Sequence, residues 1–334
     1  LAHHVTAAAN KLPPSPREHL TSEETRTVLR LQHRMLGFAR EYLYREGFVE
    51  LLPPVIGPVT DPGIRGAKQV DVDYYGHRYK LMTSAGVYKQ PSLLAFDKIV
   101  FVAPNVRLEP LETCSTQRHL AEFHQLDIEV AHATLESIMT LAEELITHIV
   151  RGVVTHCAGD LAVLGRDASA FTALLGKPFG RLSHTEAVRT LIDRGHPQEP
   201  GAEIDWQGER LLSELADGPL LVSHYPKGSR CFIEREDPDR PRVLRTFDLL
   251  MPEGYGEVIS GGERERDYAT LITRCRETGE NPSKYAWYME EVRKGVPPSA
   301  GFGLGVERFT RYLAGAEYVW QATAYPKVPG MVSP

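Results

Sequence analysis

No apolar run in the 334 residues approaches the ~18 that a membrane-spanning helix needs, and no hydrophobic leader precedes the first patterned segment. A membrane is therefore not an expected partner. Cysteine is scarce. Cys114, Cys157, Cys231 and Cys275 lie far apart and form neither a C-x-x-C nor a Cys/His cluster. That argues against a disulfide framework and a zinc site, and makes a reducing cytoplasm the expected location. Basic runs are missing as well: 38 Lys and Arg face 44 Asp and Glu, for a net charge of −6. This speaks against broad nucleic-acid binding while leaving room for a local basic patch. No internal repeat occurs, and no low-complexity tract beyond the first twenty residues.

Those first twenty, "LAHHVTAAANKLPPSPREHL", are rich in Ala and Pro without a period, and read as a flexible arm. Residues 21–334 read as one domain. Its first helix is expected to open on a capping box of Thr21 and Glu24, to carry Val28, Leu31, Met35, Phe38 and Tyr42 on one stripe, and to stop at Gly47. "FVELLPPVI" follows as a strand ending in two prolines, and short strands come next at "YYGHRYKLM", "KIVFVAP" with "NVRLE", and "AEFHQLDIEVA". A second helix from Leu135 to Val150 should bury Leu135, Ile138, Ala142, Leu145 and Ile149. Residues 158–214, with a capping box at Ser183 and Glu186, read as a small helical insertion. Strands return at "PLLVSHYP", "RCFIERE", "VLRTFDLLM" and "GYGEVISGG", before helices between Glu263 and Arg293. Strands interrupted by helices without regular βαβ alternation predict an α+β fold with a mainly antiparallel sheet.

Two stretches carry chemistry. "VRLEPLETCSTQRHLAEFHQLDIE", Val106 to Glu129, reads as a hairpin whose arms present Arg107 and Arg118 to one side. Guanidinium groups so placed can clamp separate phosphates of one nucleotide. "GFGLGVERF", Gly301 to Phe309, reads as a strand entering a helix, its alternating glycines allowing a ligand to approach the backbone. Its spacing is neither that of a Rossmann fingerprint nor that of a Walker A loop.

Together these stretches resemble motifs 2 and 3 of the class II aminoacyl-tRNA synthetases, and the first helix with "GFVELLPPVI" resembles motif 1, with Pro54 in the place of its proline. The resemblance is to the aspartate/asparagine branch over about Thr21 to Gly330. It implies an antiparallel sheet flanked by helices, a homodimer, and ATP and Mg²⁺ as cofactors. It further implies that Arg107 holds the α-phosphate and that Arg118 and His119 take the γ-phosphate side. Arg308 would hold the far phosphate while lying flat over adenine, with Phe123 as the opposite stacking surface. Glu109 and Gly305 complete the ATP set. Asp248, Glu257 and Ser260 would hold the metal through hard oxygen ligands. Arg107, Glu257 and Arg308 are the implied catalytic residues, and Ser84, Lys89, Gln125, Asp127, Gly261 and Arg264 the substrate set. By analogy with the aspartate enzymes, Lys89 and Arg264 would grip a carboxylate of the substrate.

Two departures shape the expected reaction. Where aspartyl enzymes hold the α-amino group with a glutamine, this chain has Ser84, Ala85 and Gly86, and "VTDPGIRGAKQVDVDYYG" lacks the usual glycine-rich run with its glutamate. Only about twenty residues precede the first helix, against the roughly one hundred of an anticodon-reading OB-fold. The chain is thus most similar to the stand-alone archaeal asparagine synthetase-related proteins. The expectation is an AMP-forming ligase that adenylates aspartate or a close analogue and passes the acyl group to ammonia or a small amine, with tRNA not a partner. A synthetase paralogue that loads a tRNA or a carrier is the alternative, and a non-catalytic module the third.

Overall fold

The computed structural model describes residues 12–61 and 67–331. Most of the expected arm, residues 1–11, and part of the "VTDPGIRG" loop lie outside these. The chain begins with α1 (Pro16–Thr21) and α2 (Glu23–Arg45). Helix starts inside the stretch read as an arm because Ser15 and Glu18 form a reciprocal capping box. Thr21 is therefore no cap: its hydroxyl donates to the Arg17 carbonyl at 2.7 Å, and Ser22 caps α2 instead. Then come β1 (Val49–Leu51), β2 (Ile56–Gly57), β3 (Asp71–Tyr74), β4 (His77–Leu81), α3 (Gly86–Ser92), β5 (Lys98–Val106), β6 (Glu122–Ala131) and α4 (Leu135–His156). A more irregular region carries α5 (Ala158–Val163), α6 (Thr172–Gly176), β7 (Gly180–Ser183), α7 (His184–Asp193) and α8 (Trp206–Leu215). The chain continues through β8 (Leu220–Ser223), β9 (Thr246–Met251), β10 (Gly256–Glu263), α9 (Tyr268–Glu277), α10 (Ala286–Lys294), β11 (Ser299–Gly305) and α11 (Val306–Ala314). Among the described residues no helix is long and apolar enough to cross a membrane.

Eight strands form one sheet in the order β1-β5-β6-β11-β10-β9-β8-β7, and β2-β4-β3 form a small second one. The inner pairs are antiparallel, and a parallel pair closes each end, β1 on β5 and β7 on β8. The region read as a helical insertion thus supplies an edge strand to the main sheet. "RCFIERE" forms no strand and makes only isolated bridges, Glu234 to Arg264 and Glu236 to Leu244. One face of the sheet is covered by α2, α4 and α11. The periodic positions of α4 are buried as the sequence predicts, from Leu135 to Ile149. On α2, Val28, Leu31, Met35 and Tyr42 are buried, with Phe38 packed at the margin. At roughly 1.5–3 kcal/mol for each fully buried large apolar side chain, this shared core is the main force holding the helices to the sheet.

The other face holds the polar groups. Because side chains alternate along a strand, Leu126 and Ile128 enter the core while Gln125, Asp127 and Glu129 point away from it. The register sets Gly305, Gly303 and Gly301 of β11 directly opposite those three residues. A Cβ at Gly303 would stand 2.9 Å from Asp127 Oδ1 and from Gln125 Nε2, and one at Gly301 would run into the Glu129 carboxylate and the Ile128 carbonyl oxygen. Alternate glycines thus keep a trough open along the sheet. At Gly301 the group that uses the space is a carboxylate of the protein itself.

Candidate active site

A cleft of about 410 Å³ lies over this trough. At one end the β5–β6 hairpin, β10 and α11 converge. Val106 pairs with Glu122, and the Arg107 N–H donates to the Ala121 carbonyl at 2.8 Å, so the ladder continues to the base of the intervening loop. Arg107 Nε donates to the Thr83 carbonyl at 2.9 Å, and its guanidinium covers the Phe123 ring at 5.0 Å from the centroid. Arg118 comes from the far side of the loop, where Gln117 adopts φ +61°. Arg308 stands in the first turn of α11, its Nε donating to the Arg118 carbonyl at 3.3 Å. Glu257 of β10 lies between the two cations, 3.6 Å from Arg118 and 3.5 Å from Arg308. The hairpin thus brings Arg107 and Arg118 to one side, as its sequence predicts.

Burial, and then the neighbouring charge of Arg118, holds Arg308 below the usual arginine range, with Glu257 opposing. Burial first, then Arg308 and Arg118, push His119 down to about 2. The imidazole is therefore neutral at physiological pH. It offers a phosphate a hydrogen bond rather than a charge, and its Nδ1 already pairs with the Thr116 hydroxyl at 2.5 Å. Phe123 and Gly305 line a narrower hollow opening beside the cleft, together with Arg107, His119 and Arg308.

The carboxylates gathered here differ in one member from the metal set that the resemblance implies. Glu209 from α8, Asp248 and Glu257 each offer an oxygen, and these atoms lie within 4.8 Å of one another. Three hard carboxylate donors at that spacing suit Mg²⁺. Glu209 also accepts from Arg118 Nη1 at 2.5 Å. Ser260 is placed otherwise: its hydroxyl accepts from Arg230 Nη1 at 2.8 Å. Arg230 also donates to both oxygens of Asp248, at 3.1 and 2.6 Å, and to Glu203 at 2.8 Å, and it stacks on Tyr225 at 3.9 Å.

At the opposite end of the cleft stand Ser84, Lys89, Asp127, Gly261 and Arg264, beside Gln125. A Cβ at Gly261 would fall 2.5 Å from Phe302 Cβ, so close strand packing fixes that glycine. Lys89 and Arg264 do not stand ready for a substrate carboxylate. Lys89 Nζ lies 3.3 Å from Asp127 and 3.6 Å from Glu129, and Arg264 Nε donates to Glu129 at 3.1 Å while its Nη1 donates to Glu234 at 2.5 Å. Ser299 adds a hydrogen bond to Glu129 at 2.8 Å. Glu129 is fully buried and is the hub of this network. Where a glutamine was missed in the sequence, a Cβ at Gly86 would lie 2.9 Å from Asp61 Oδ2, so an aspartate from another segment borders that space.

Sequence reasoning missed Glu209, Arg230, Glu234, Asp61 and the role of Glu129. Only Glu129 had a usable signal, as the third member of the alternating Gln125, Asp127, Glu129 series.

A family model described as tRNA synthetases class II (D, K and N) matches residues 17–329. An asparagine–tRNA ligase of Pyrococcus abyssi is 34% identical over 316 residues, covering 95% of this chain and 71% of that protein. One from a Roseiflexus species is 31% identical over 338 residues, covering 96% and 76%. The crystal structure of asparaginyl-tRNA synthetase from Pyrococcus horikoshii complexed with asparaginyl-adenylate superposes with a TM-score of 0.89 at 32% identity, over 96% of this chain and 72% of that one.

Proposed function

Because the chain belongs to the class II tRNA synthetases of the D, K and N group, we propose that it joins ATP to an amino acid of the aspartate/asparagine class as an aminoacyl-adenylate and transfers the acyl group to tRNA. The observation that carries this reading is the single cleft with a triple-arginine end facing Glu257 and a buried ionic end lined by Lys89, Asp127 and Arg264. The α-carboxylate of the amino acid attacks the α-phosphorus, pyrophosphate leaves, and a tRNA hydroxyl then takes the acyl group and releases AMP. No covalent enzyme intermediate is needed. Positioning and charge stabilisation supply the rate.

Arg107, anchored through its Nε to Thr83, presents its terminal nitrogens to the α-phosphate. Arg118 and Arg308 face the β,γ end, with His119 as a neutral donor or acceptor beside them. Glu257, with Glu209 and Asp248, would hold Mg²⁺, which when bound would supply positive charge against the phosphates. Phe123 offers a ring face to the adenine once Arg107 turns to the phosphate.

Two expectations change. The ammonia-dependent amide ligase gives way to the tRNA-loading alternative, because the relatives are asparagine–tRNA ligases. The expectation that tRNA is not a partner is overturned by the same finding. It rested on the missing amine-holding glutamine, on the short segment before the first helix and on the net charge, which is a sum over the whole chain and says little of any one surface.

The test is incubation with labelled asparagine or aspartate, ATP, Mg²⁺ and total tRNA, followed by acid precipitation. Label should enter the precipitate only when all components are present. Free labelled amide formed from aspartate and ammonia, with none precipitated, would restore the ammonia-ligase reading.

A further inference from the structure

The end of the cleft remote from the arginine triad carries an excess of acid. Asp61, Asp127 and Glu234 line it, and Glu129 lies beneath. Lys89 and Arg264 are the cations among them, and both are already engaged. Two of these carboxylates are only half used. Glu234 accepts from Arg264 through Oε1, while its Oε2 is buried without a hydrogen-bond partner. Asp127 accepts from Lys89 through Oδ1, and its Oδ2 is likewise buried and unpartnered. Burial raises the Glu234 carboxyl above its ordinary range against the pull of Arg264, and the buried Arg274 is a further cation within electrostatic reach of it.

Glu234 is also firmly placed. The Glu265 N–H donates to the Ile233 carbonyl at 2.7 Å, and the Arg235 N–H donates to the Glu263 carbonyl at 2.9 Å, so backbone bonds pin the residues on both sides of it. A buried acceptor left without a donor is costly, and a group that supplies the donor recovers that cost on binding. A carboxylate brought here would meet unpaired oxygens and cations that are already neutralised. An N–H group would fill the vacant acceptors.

We propose that Glu234 is a specificity-determining residue that selects a substrate side chain ending in nitrogen donors, a carboxamide or an ammonium, and rejects one ending in a carboxylate. The assignment rests on the adenylation reading above and deepens it. A site built to hydrogen-bond a substrate group discriminates strongly, because the wrong substrate leaves its buried partners unmatched.

The experiment is ATP–pyrophosphate exchange by the full chain with asparagine, aspartate and 2,3-diaminopropionate, for the wild type and for Glu234→Gln. In the wild type, kcat/KM for asparagine or diaminopropionate should exceed that for aspartate by roughly 10²-fold or more. Which of the two is preferred separates amide from ammonium recognition. Glu234→Gln should cut the discrimination at least about tenfold, chiefly through KM for the acid, with KM for ATP unchanged. Equilibrium binding of the three acids to wild-type protein reads the same order without a variant, should the substitution prevent folding. Exchange as fast with aspartate as with asparagine, or discrimination kept within twofold in Glu234→Gln, would overturn this assignment and leave adenylation standing. Exchange with none of the acids would overturn both.

Discussion

Gly301→Ala is the sharpest test of how the site is built. The added methyl would enter the space of the Glu129 carboxylate and the Ile128 carbonyl oxygen, with Glu129 Cδ only 2.7 Å away. Neither neighbour can yield cheaply. The carbonyl belongs to β6, which is hydrogen-bonded on both sides, and Glu129 accepts from Arg264 at 3.1 and 3.2 Å and from Ser299 at 2.8 Å. Breaking a buried ion pair costs about 3–5 kcal/mol and overpacking about 1–3 kcal/mol, while the stiffer unfolded chain returns about 0.4–1 kcal/mol. The net expectation is a destabilisation of about 3–7.5 kcal/mol. With an unfolding entropy of about 2.1 cal/mol/K per residue, a chain this long loses roughly 4–11 °C in Tm. Gly305→Ala is the control. Its Cβ would meet nothing closer than Arg308 at 3.6 Å, so stability should stay within about 1 kcal/mol. Equilibrium guanidinium unfolding followed by tryptophan fluorescence measures both. A Gly301→Ala loss below about 1 kcal/mol, or equal losses for the two variants, would refute the idea that the first glycine serves a carboxylate of the protein.

Arg308→Ala should lower pyrophosphate exchange by roughly 10²–10³-fold while Tm holds or rises slightly, since it removes a buried cation that burial and Arg118 both disfavour; a Tm loss matching the activity loss would make it a structural residue. His119, pushed down to about 2, should show no imidazole titration by NMR between pH 5 and 8. An unfolded histidine takes up its proton near 6.5, so the unfolded state binds more protons between about 2 and 6.5 and the His119 contribution to stability falls on acidification through that window, by at most about 1.4 kcal/mol per pH unit. His119→Asn should flatten that part of the stability–pH curve. Chelation should abolish exchange and Mg²⁺ restore it, and Glu257→Gln should raise the Mg²⁺ needed for half-maximal exchange several-fold; an unchanged requirement would remove Glu257 from the metal set.

What could be read from the sequence was local or repeated. The stripe on α4, the capping box at Ser183 and Glu186, and the hairpin that carries Arg107 and Arg118 each depend on residues close in the chain, and each is present. The ionic end of the cleft depends on distant pairs. Arg264 meets Glu129 across 135 positions, and Arg118 meets Glu209 across 91. No periodicity announces such contacts. Glu209 looked like an ordinary polar residue of a short helix until β7 tied its region to the sheet edge. The alternating glycines read in the sequence as room for a ligand, and only the register shows that Glu129 and Asp127 of the protein itself approach them.

The Arg118–Glu209 pair also bears on how nucleotide would enter under the proposed function. Arg118 already holds one carboxylate, Glu209 at 2.5 Å, and lies 3.6 Å from a second, Glu257. Loading would then be ion exchange within the protein, one anion displacing another from the same guanidinium, and not the neutralisation of a bare positive funnel. The same displacement would free Glu209 for the carboxylate trio that suits a divalent cation.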